Sequence, residues 1–208
     1  MISRIVLADE IRRIDLSEIE RYNLRARAEY RLHVELGPCP YEGDIASAPI
    51  VLLLANPGFD KTSTLQDHTF EHNGWPFAGL HPDAPKGVRD WLEKRLLGLI
   101  KEFGAQHVSQ SIAALQITPW ASKKFDSDLR LPSREQMLKL AEDATARGAL
   151  IIVMRAEKLW DQDERVAHGR WLKTKNPRCS YVSMGNLGED GWRSVLKTMR
   201  SNPKRLVP

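Results

Sequence analysis

The feature that most constrains the fold is a run of six apolar residues, 50–55, that ends at Asn56-Pro57-Gly58. An apolar run without alternation is typical of a strand that is covered on both faces, as in a parallel sheet between helices. Asn, Pro and Gly in succession favour a turn. The sequence therefore predicts a buried parallel strand that leads into a loop, and ligands of α/β folds bind beyond such strand ends.

Further apolar runs alternate with helical periodicity along the rest of the chain. The predicted strands are 112–117, 149–154 and 179–183, and the predicted helices are 15–34, 88–103, 133–147, 156–160 and 189–200. Ser133 and Gln136 have the spacing of a capping box, and Gly104 and Gly148 end their helices. This alternation predicts one α/β domain over residues 1–208, a three-layer sandwich with a central four-stranded parallel sheet flanked by helices. Residues 1–40 form an N-terminal helical extension and residues 50–200 the α/β core.

Composition excludes several classes of protein. The two cysteines lack the spacing of a zinc ribbon or an iron–sulfur cluster within this chain. No apolar run approaches the length of a membrane span, and the first residues lack the apolar core of a signal peptide, so we expect a cytoplasmic protein with no membrane partner. A net charge of +4 favours an anionic partner weakly.

One motif suggests a metal site but lacks the helix it needs. Residues 68–72 match the H-x-x-E-H pattern of inverted zinc peptidases, which requires both histidines on one helical face. Asn73, Gly74 and Pro76 follow at once and oppose a helix, so no metal is predicted. Residues 60–85 read as a long loop, and Trp75 and Trp120 are the tryptophans placed where a ligand could meet them.

Four segments carry a resemblance to a known family. Residues 54–59, Leu-Ala-Asn-Pro-Gly-Phe, resemble the first motif of the uracil-DNA glycosylase superfamily, nearest to the mismatch-specific uracil/thymine-DNA glycosylases. Residues 74–79, Gly-Trp-Pro-Phe-Ala-Gly, resemble the G-x-P-F-x-G segment of bacterial and archaeal glycosylases. Residues 117–120 fall at the end of the middle strand, and residues 183–187 take the place of the closing H-P-S-x-L or N-P-S-x-L loop.

The resemblance implies hydrolysis of the N-glycosidic bond of a damaged or mismatched base in DNA, or in another nucleic acid or nucleotide. It implies that Asn56 holds the attacking water through its amide oxygen, without metal or organic cofactor. Phe77 would stack on the base, Gly58 would leave room in the pocket, and Leu187 would wedge into the base stack. The residues expected to bind the base or nucleotide are Ala55, Gly58, Phe59, Phe77, Thr118, Ser183 and Asn186. Lys123 and Lys124 would suit phosphate contacts.

Two other interpretations remain open. Ser183 replaces the His or Asn of the closing loop and Thr118 replaces a common Asn, which favours a module of the same fold that binds nucleic acid or nucleotide without cleaving it. An unrelated α/β enzyme with a coincidental turn is the third possibility. A purely structural role is also open for each motif: Asn56-Pro57-Gly58 as a tight turn, Phe77 as a core phenylalanine and Leu187 as a packed leucine.

Overall fold

The centre of the protein is one mixed sheet of five strands, described here from a computed structural model that covers residues 3–160, 171–176 and 179–202. The strands are β1 (Tyr41–Glu42), β2 (Ile50–Leu54), β3 (Ile112–Gln116), β4 (Leu150–Val153) and β5 (Trp171–Lys173). Their order is β1-β3-β2-β4-β5, and only β1 is antiparallel to its neighbour. The α/β class and the single domain are confirmed, but the sheet is not purely parallel and four-stranded.

Helices cover both faces of this sheet. They are α1 (Arg4–Arg25), α2 (Gln66–Thr69), α3 (Lys86–Phe103), α4 (Ala105–Ser111), α5 (Arg134–Ala146), α6 (Glu157–Trp160) and α7 (Met184–Arg200). Alternate residues of β2 point to opposite faces, so Val51 and Leu53 pack in the core shared with α1 and α5. Ile50, Leu52 and Leu54 pack with α3, α4 and α7. Among the described residues, no helix combines the length and apolarity needed to cross a bilayer.

The antiparallel strand β1 was not predicted because it is too short to have a periodicity. Its two residues pair with Ala114 and Leu115 on the open edge of β3. The adjoining chain continues this pairing beyond the strand, since the Cys39 N–H donates to Pro119 O at 2.7 Å. Pairing with an exposed edge is a property of the assembled sheet rather than of the two residues themselves.

The prediction of a fourth strand at 179–183 is wrong. The strand beside β4 is β5, and the described chain from Cys179 to Ser183 forms no strand. The side chain of Asn186 instead binds the backbone carbonyls of Cys179 and Tyr181, at 2.8 and 3.0 Å. A side-chain amide therefore takes the place that a strand ladder would occupy.

The N-terminal helix begins earlier and ends earlier than the predicted range 15–34. Ser3 caps α1, since its Oγ accepts the Val6 N–H at 3.3 Å, and Ala26 is already extended. The buried face of α1 includes the charged residue Asp15 among Leu7, Ile11, Ile19 and Tyr22. Asp15 interrupts the apolar pattern in the middle of the buried face. The periodicity of the sequence therefore did not predict the half of the helix that precedes it.

Candidate functional site at the carboxyl end of the sheet

The candidate site lies where the loops after β2 and β3 run side by side. The chain leaves β2 for β3 on one side and later crosses to β4 on the other, so the carboxyl end of β2 is a topological switch point. The Thr118 N–H donates to Ala55 O at 2.9 Å, and the Ser122 N–H donates to Pro57 O at 3.2 Å. Gly58 forms an isolated parallel bridge with Ser122. The two loops are therefore one continuous extension of the β2–β3 ladder.

Asn56 is held in this extension by its amide nitrogen. Nδ2 donates to Pro57 O and to Ser122 Oγ, both at 2.9 Å, with a longer contact of 3.4 Å to Ser122 O. Ser122 Oγ donates its own hydrogen to Lys124 O at 2.8 Å, so it can only accept from Asn56. Both partners of the amide are acceptors, which fixes Nδ2 toward them. Among the described residues nothing donates to Asn56 Oδ1, which remains an available acceptor.

The residues beside Asn56 either have small side chains or already pack against another side chain. Thr118 is 7% exposed, and its hydroxyl makes no hydrogen bond with the described residues. Gly58 is exposed, and a Cβ atom added there would meet nothing within 4 Å. The ring of Phe59 stacks on His33 with centroids 3.4 Å apart and planes 12° apart. One face of Phe59 is thus covered by a residue that the sequence did not indicate.

The crevice between β2 and β4 is filled on one side by Trp160. This side chain is fully buried, and its Nε1 donates to Leu54 O at 3.1 Å. It comes from α6, which follows β4 after a turn at Ala156, where φ is +56°. The predicted helix at 156–160 is confirmed, but its tryptophan packs against the end of β2 and narrows the switch point.

The closing loop has structural duties. Asn186 uses both amide hydrogens on Cys179 and Tyr181, and its Oδ1 accepts the Asn176 N–H at 2.8 Å. Ser183 is the N-cap residue of α7, without a side-chain capping bond. Leu187 is partly buried against the apolar core. In this conformation Asn186 has no amide hydrogen left for a base, and Leu187 is packed rather than projecting as a wedge.

Two aromatic side chains expected at a ligand are buried. Phe77 is 1% exposed, and its N–H donates to Ser109 Oγ of α4 at 3.0 Å. It leaves almost no surface on which a base could stack. Trp120 is 0% exposed, and its Nε1 donates to Asp15 Oδ2 at 2.8 Å. Trp120 therefore belongs to the core below the site and is unavailable to a ligand.

A cavity of about 690 Å³ opens near β1, and Asn56 is not one of the residues that line it. It is lined by Arg4, Tyr41, Gly43, Phe70, Glu71, His72, Asn73, Trp75, Pro76 and Ala78. A small neighbouring cavity is lined in part by Arg4, Glu42 and His68. Burial raises the pKa of Glu42 to about 7 and lowers the pKa of His68, with Arg4 opposing the rise at Glu42. Trp75 lines the larger cavity, whereas Phe77, two residues later, does not.

The histidines of the H-x-x-E-H pattern do not converge. His68 is buried in the four-residue helix α2, while His72 lies beyond it and stacks on His81 with centroids 3.6 Å apart. Within residues 3–160, 171–176 and 179–202, no group of three or more His, Cys, Asp or Glu side chains is arranged to hold a metal ion.

The structure thus brings Ala55, Asn56, Gly58, Phe59 and Thr118 together and adds Ser122 and His33 to them. Ser183, Asn186 and Leu187 form a second group at the start of α7, and Phe77 is anchored to α4 instead. The role of Ser122 depends on a contact across 66 residues, for which the sequence has no local signal. Comparisons of the chain with protein-family models, with curated proteins and with solved structures find no match.

Proposed function

We propose that this protein hydrolyses the N-glycosidic bond of a damaged or mismatched base in DNA, with the attacking water held at Asn56. The observation that carries the proposal is the fixed amide of Asn56, whose nitrogen is bound to Pro57 O and Ser122 Oγ while Oδ1 stays available. Its position at a switch point of a parallel α/β sheet is where such folds bind ligands.

The chemistry suits a polar but neutral residue. Cleavage of the glycosidic bond leaves the bonding electron pair on the base and positive charge on the sugar, and the water oxygen then bonds to the sugar carbon. Asn56 Oδ1 can accept a hydrogen bond from that water and orient it, but an amide does not take up the proton near neutral pH. The proton goes to solvent or to the departing base. Orientation of the water, rather than strong base catalysis, is the contribution that this residue can make.

The first test is release of free base from oligonucleotides that contain uracil, hypoxanthine, xanthine or a thymine mismatch. Wild-type protein should release one of these bases, and Asn56→Ala should slow release by about 100-fold or more, because the water loses its acceptor. Ser122→Ala should slow it less, since the Asn56 amide keeps its bond to Pro57 O but can rotate more freely. Equal rates for Asn56→Ala and wild type would exclude the role of Asn56.

A second candidate function is binding of nucleic acid or nucleotide without cleavage. Two observations favour it: Phe77 is buried, and the Asn186 amide is fully engaged, so neither group is free to hold a flipped base. Folded wild-type protein that binds DNA in a gel-shift assay and releases no base from any of the four substrates would support this function over hydrolysis.

A further inference from the structure

A basic and aromatic surface lies where the segment 180–182, which precedes α7, contacts α3 and the residue that follows β4. Arg155 follows β4, its N–H is bonded to Leu53 O of the strand that leads to Asn56, and its Nε donates to Ser180 Oγ at 3.3 Å. Two residues later, the Val182 N–H donates to Arg95 O of α3 at 2.9 Å. Tyr181 lies between these two contacts and is 42% exposed. The same short segment therefore joins two arginines and an exposed aromatic ring.

Arg95 is held in a defined orientation on this surface. Its guanidinium carbon lies 3.7 Å from the centroid of the Trp91 ring, and Nη1 donates to Trp91 O at 3.0 Å. Trp91 itself is 38% exposed. The Nε–H of Arg95 is buried and has no acceptor in the part of the chain that the structure describes. A cation stacked on an indole and tied to a carbonyl presents its remaining N–H groups in a fixed direction.

Within residues 3–160, 171–176 and 179–202, neither Arg95 nor Arg155 has a negative partner. Arg95 and Arg155 form no ion pair with a described carboxylate, whereas Arg4, Lys86, Arg193 and Arg200 each pair with one. Among the described residues, the ionisable groups that act on Arg95 are Tyr181, Arg155 and Cys179, and none of these three is a carboxylate. Partial burial lowers the pKa of Arg95, and the charge of Arg155 lowers it further. An anion between the two guanidinium groups would relieve this repulsion.

We infer that Trp91, Arg95, Arg155 and Tyr181 form a docking surface for a nucleic-acid strand beside the Asn56 site. The guanidinium groups complement backbone phosphates, and the exposed ring of Tyr181 offers a stacking face for an unpaired base. Planar guanidinium groups match the geometry of phosphate oxygens. This inference rests on the proposed function, because it adds phosphate contacts beside the Asn56 loop.

The test is fluorescence anisotropy of a short labelled single strand of unmodified DNA, and of RNA of the same sequence, over a series of salt concentrations. Arg155→Gln should weaken binding several-fold and reduce the slope of log Kd against log salt by about 0.7, since one phosphate contact is lost. Tyr181→Ala should weaken binding about fivefold or more, and Tyr181→Phe should retain wild-type affinity. Lys139→Gln removes the same charge from α5, on the other face of the sheet, and should change neither value.

The outcomes separate this surface from the activity at Asn56. If the wild type binds the strand, and Arg155→Gln and Tyr181→Ala both bind it with the same affinity, the docking surface is overturned. The proposed base release at Asn56 is unaffected by that result. Binding that depends on Arg155 and Tyr181, without base release, supports the surface and removes the hydrolytic function. Equal competition by polyglutamate at matched charge, with no effect of Tyr181→Ala, would mean an unspecific cation patch and overturn the inference. Failure of the wild type to bind either strand at low salt would overturn it as well, and release of base in that case would leave the activity standing.

Discussion

At the scale of single residues, Asp15 has the most consequential side chain outside the candidate site. It is fully buried, and its Oδ2 accepts the Trp120 Nε1–H at 2.8 Å and the Ser133 hydroxyl at 2.6 Å. Its Oδ1 accepts the Ser133 N–H at 2.9 Å. One carboxylate thus joins α1, the loop after β3 and the start of α5. This also corrects the predicted capping box, because the Ser133 hydroxyl binds Asp15 rather than the backbone of its own helix.

We expect Asp15→Asn to lower the free energy of unfolding by about 1–3 kcal/mol. An amide has one acceptor oxygen where the carboxylate has two, so a buried donor from Trp120 or Ser133 loses its partner. Urea unfolding followed by tryptophan fluorescence measures the change. Asp9→Asn, at an exposed position of the same helix, should stay within about 0.5 kcal/mol of wild type. Equal stability of the two variants would show that the Asp15 bonds contribute nothing.

Glu42 makes stability depend on pH in a defined direction. Burial raises its pKa from 4.5 to about 7 in the folded protein, so the folded state binds this proton more tightly than the unfolded chain. The resulting stabilisation is fully present below pH 4.5 and is lost as pH rises through 7. Glu42→Gln should therefore flatten the fall of Tm across this window. The raised pKa of Asp15 acts in the same direction and the lowered pKa of His68 in the opposite one, so the Glu42 contribution is the difference between the slopes of wild type and variant.

Calorimetric Tm values measured from acid to neutral pH test this prediction. The matched control is Glu20→Gln, at an exposed position of α1, which should keep the wild-type slope. A Glu42→Gln profile parallel to that of wild type would mean that the Glu42 carboxyl titrates at the same pH in the folded and unfolded states.

At the scale of elements, the turn between β4 and α6 places Trp160 against the end of β2. Ala156 is the only residue other than glycine with a positive φ among those that the structure describes. Its carbonyl accepts the N–H groups of Leu159 and Trp160, at 2.8 and 3.3 Å. The left-handed turn therefore starts the helix that carries Trp160 over the end of β2. A strained residue at this place is consistent with a constraint on the site rather than on the sheet.

Replacement of Ala156 by glycine should stabilise the protein. Ala156→Gly removes the clash of Cβ in the left-handed region, so the free energy of unfolding should rise by up to about 1 kcal/mol after the entropy of glycine is counted. The same exchange at Ala8, inside α1, should lower it by about 1 kcal/mol. Opposite signs for the two exchanges in urea unfolding are the expected result. Destabilisation at both positions would mean that the turn at Ala156 is not strained.

At the scale of the whole molecule, α1 is part of the same core as the sheet. Its residues Leu7, Ile11, Ile19 and Tyr22 lie in one apolar cluster with Val51 and Leu53 of β2 and with Ala141 of α5. The segment after α1 runs along the loop beyond β3 and brings His33 onto Phe59. The segment that follows α1 therefore shapes the candidate site, although the four motifs of the resemblance lie later in the chain.

Two apolar residues of α1 test this coupling. Ile19→Ala should lower the free energy of unfolding by about 2–5 kcal/mol, because Ile19 is 0% exposed. Leu24→Ala should change it by less than about 0.5 kcal/mol, because Leu24 is 86% exposed. Urea unfolding measures both variants. Similar values for the two would show that α1 does not pack against the sheet in solution.

Local patterns in the sequence were sufficient for the framework of the fold. The apolar runs of β2, β3 and β4 are recognisable because strands covered on both faces need no alternation. The periodicity of α3 and α5 ends at Gly104 and Gly148, which adopt φ values of +81° and +83° that favour glycine. Asn56-Pro57-Gly58 likewise predicted the loop after β2, because the residues that favour this turn are three neighbours in the sequence.

Tertiary structure alone decided which side chains serve the site and which serve the core. The Asn56 amide is oriented by Ser122, Trp120 is bound by Asp15, and Phe59 is covered by His33, contacts that span 66, 105 and 26 residues. Phe77 lies in a segment that resembles a ligand-stacking motif, but its side chain is buried. Hydrogen bonds and burial of this kind depend on which distant segments the folded sheet brings together, and local propensity has no information about them. The sequence therefore located the candidate loop, while the packing around it determined the direction of the Asn56 side-chain amide.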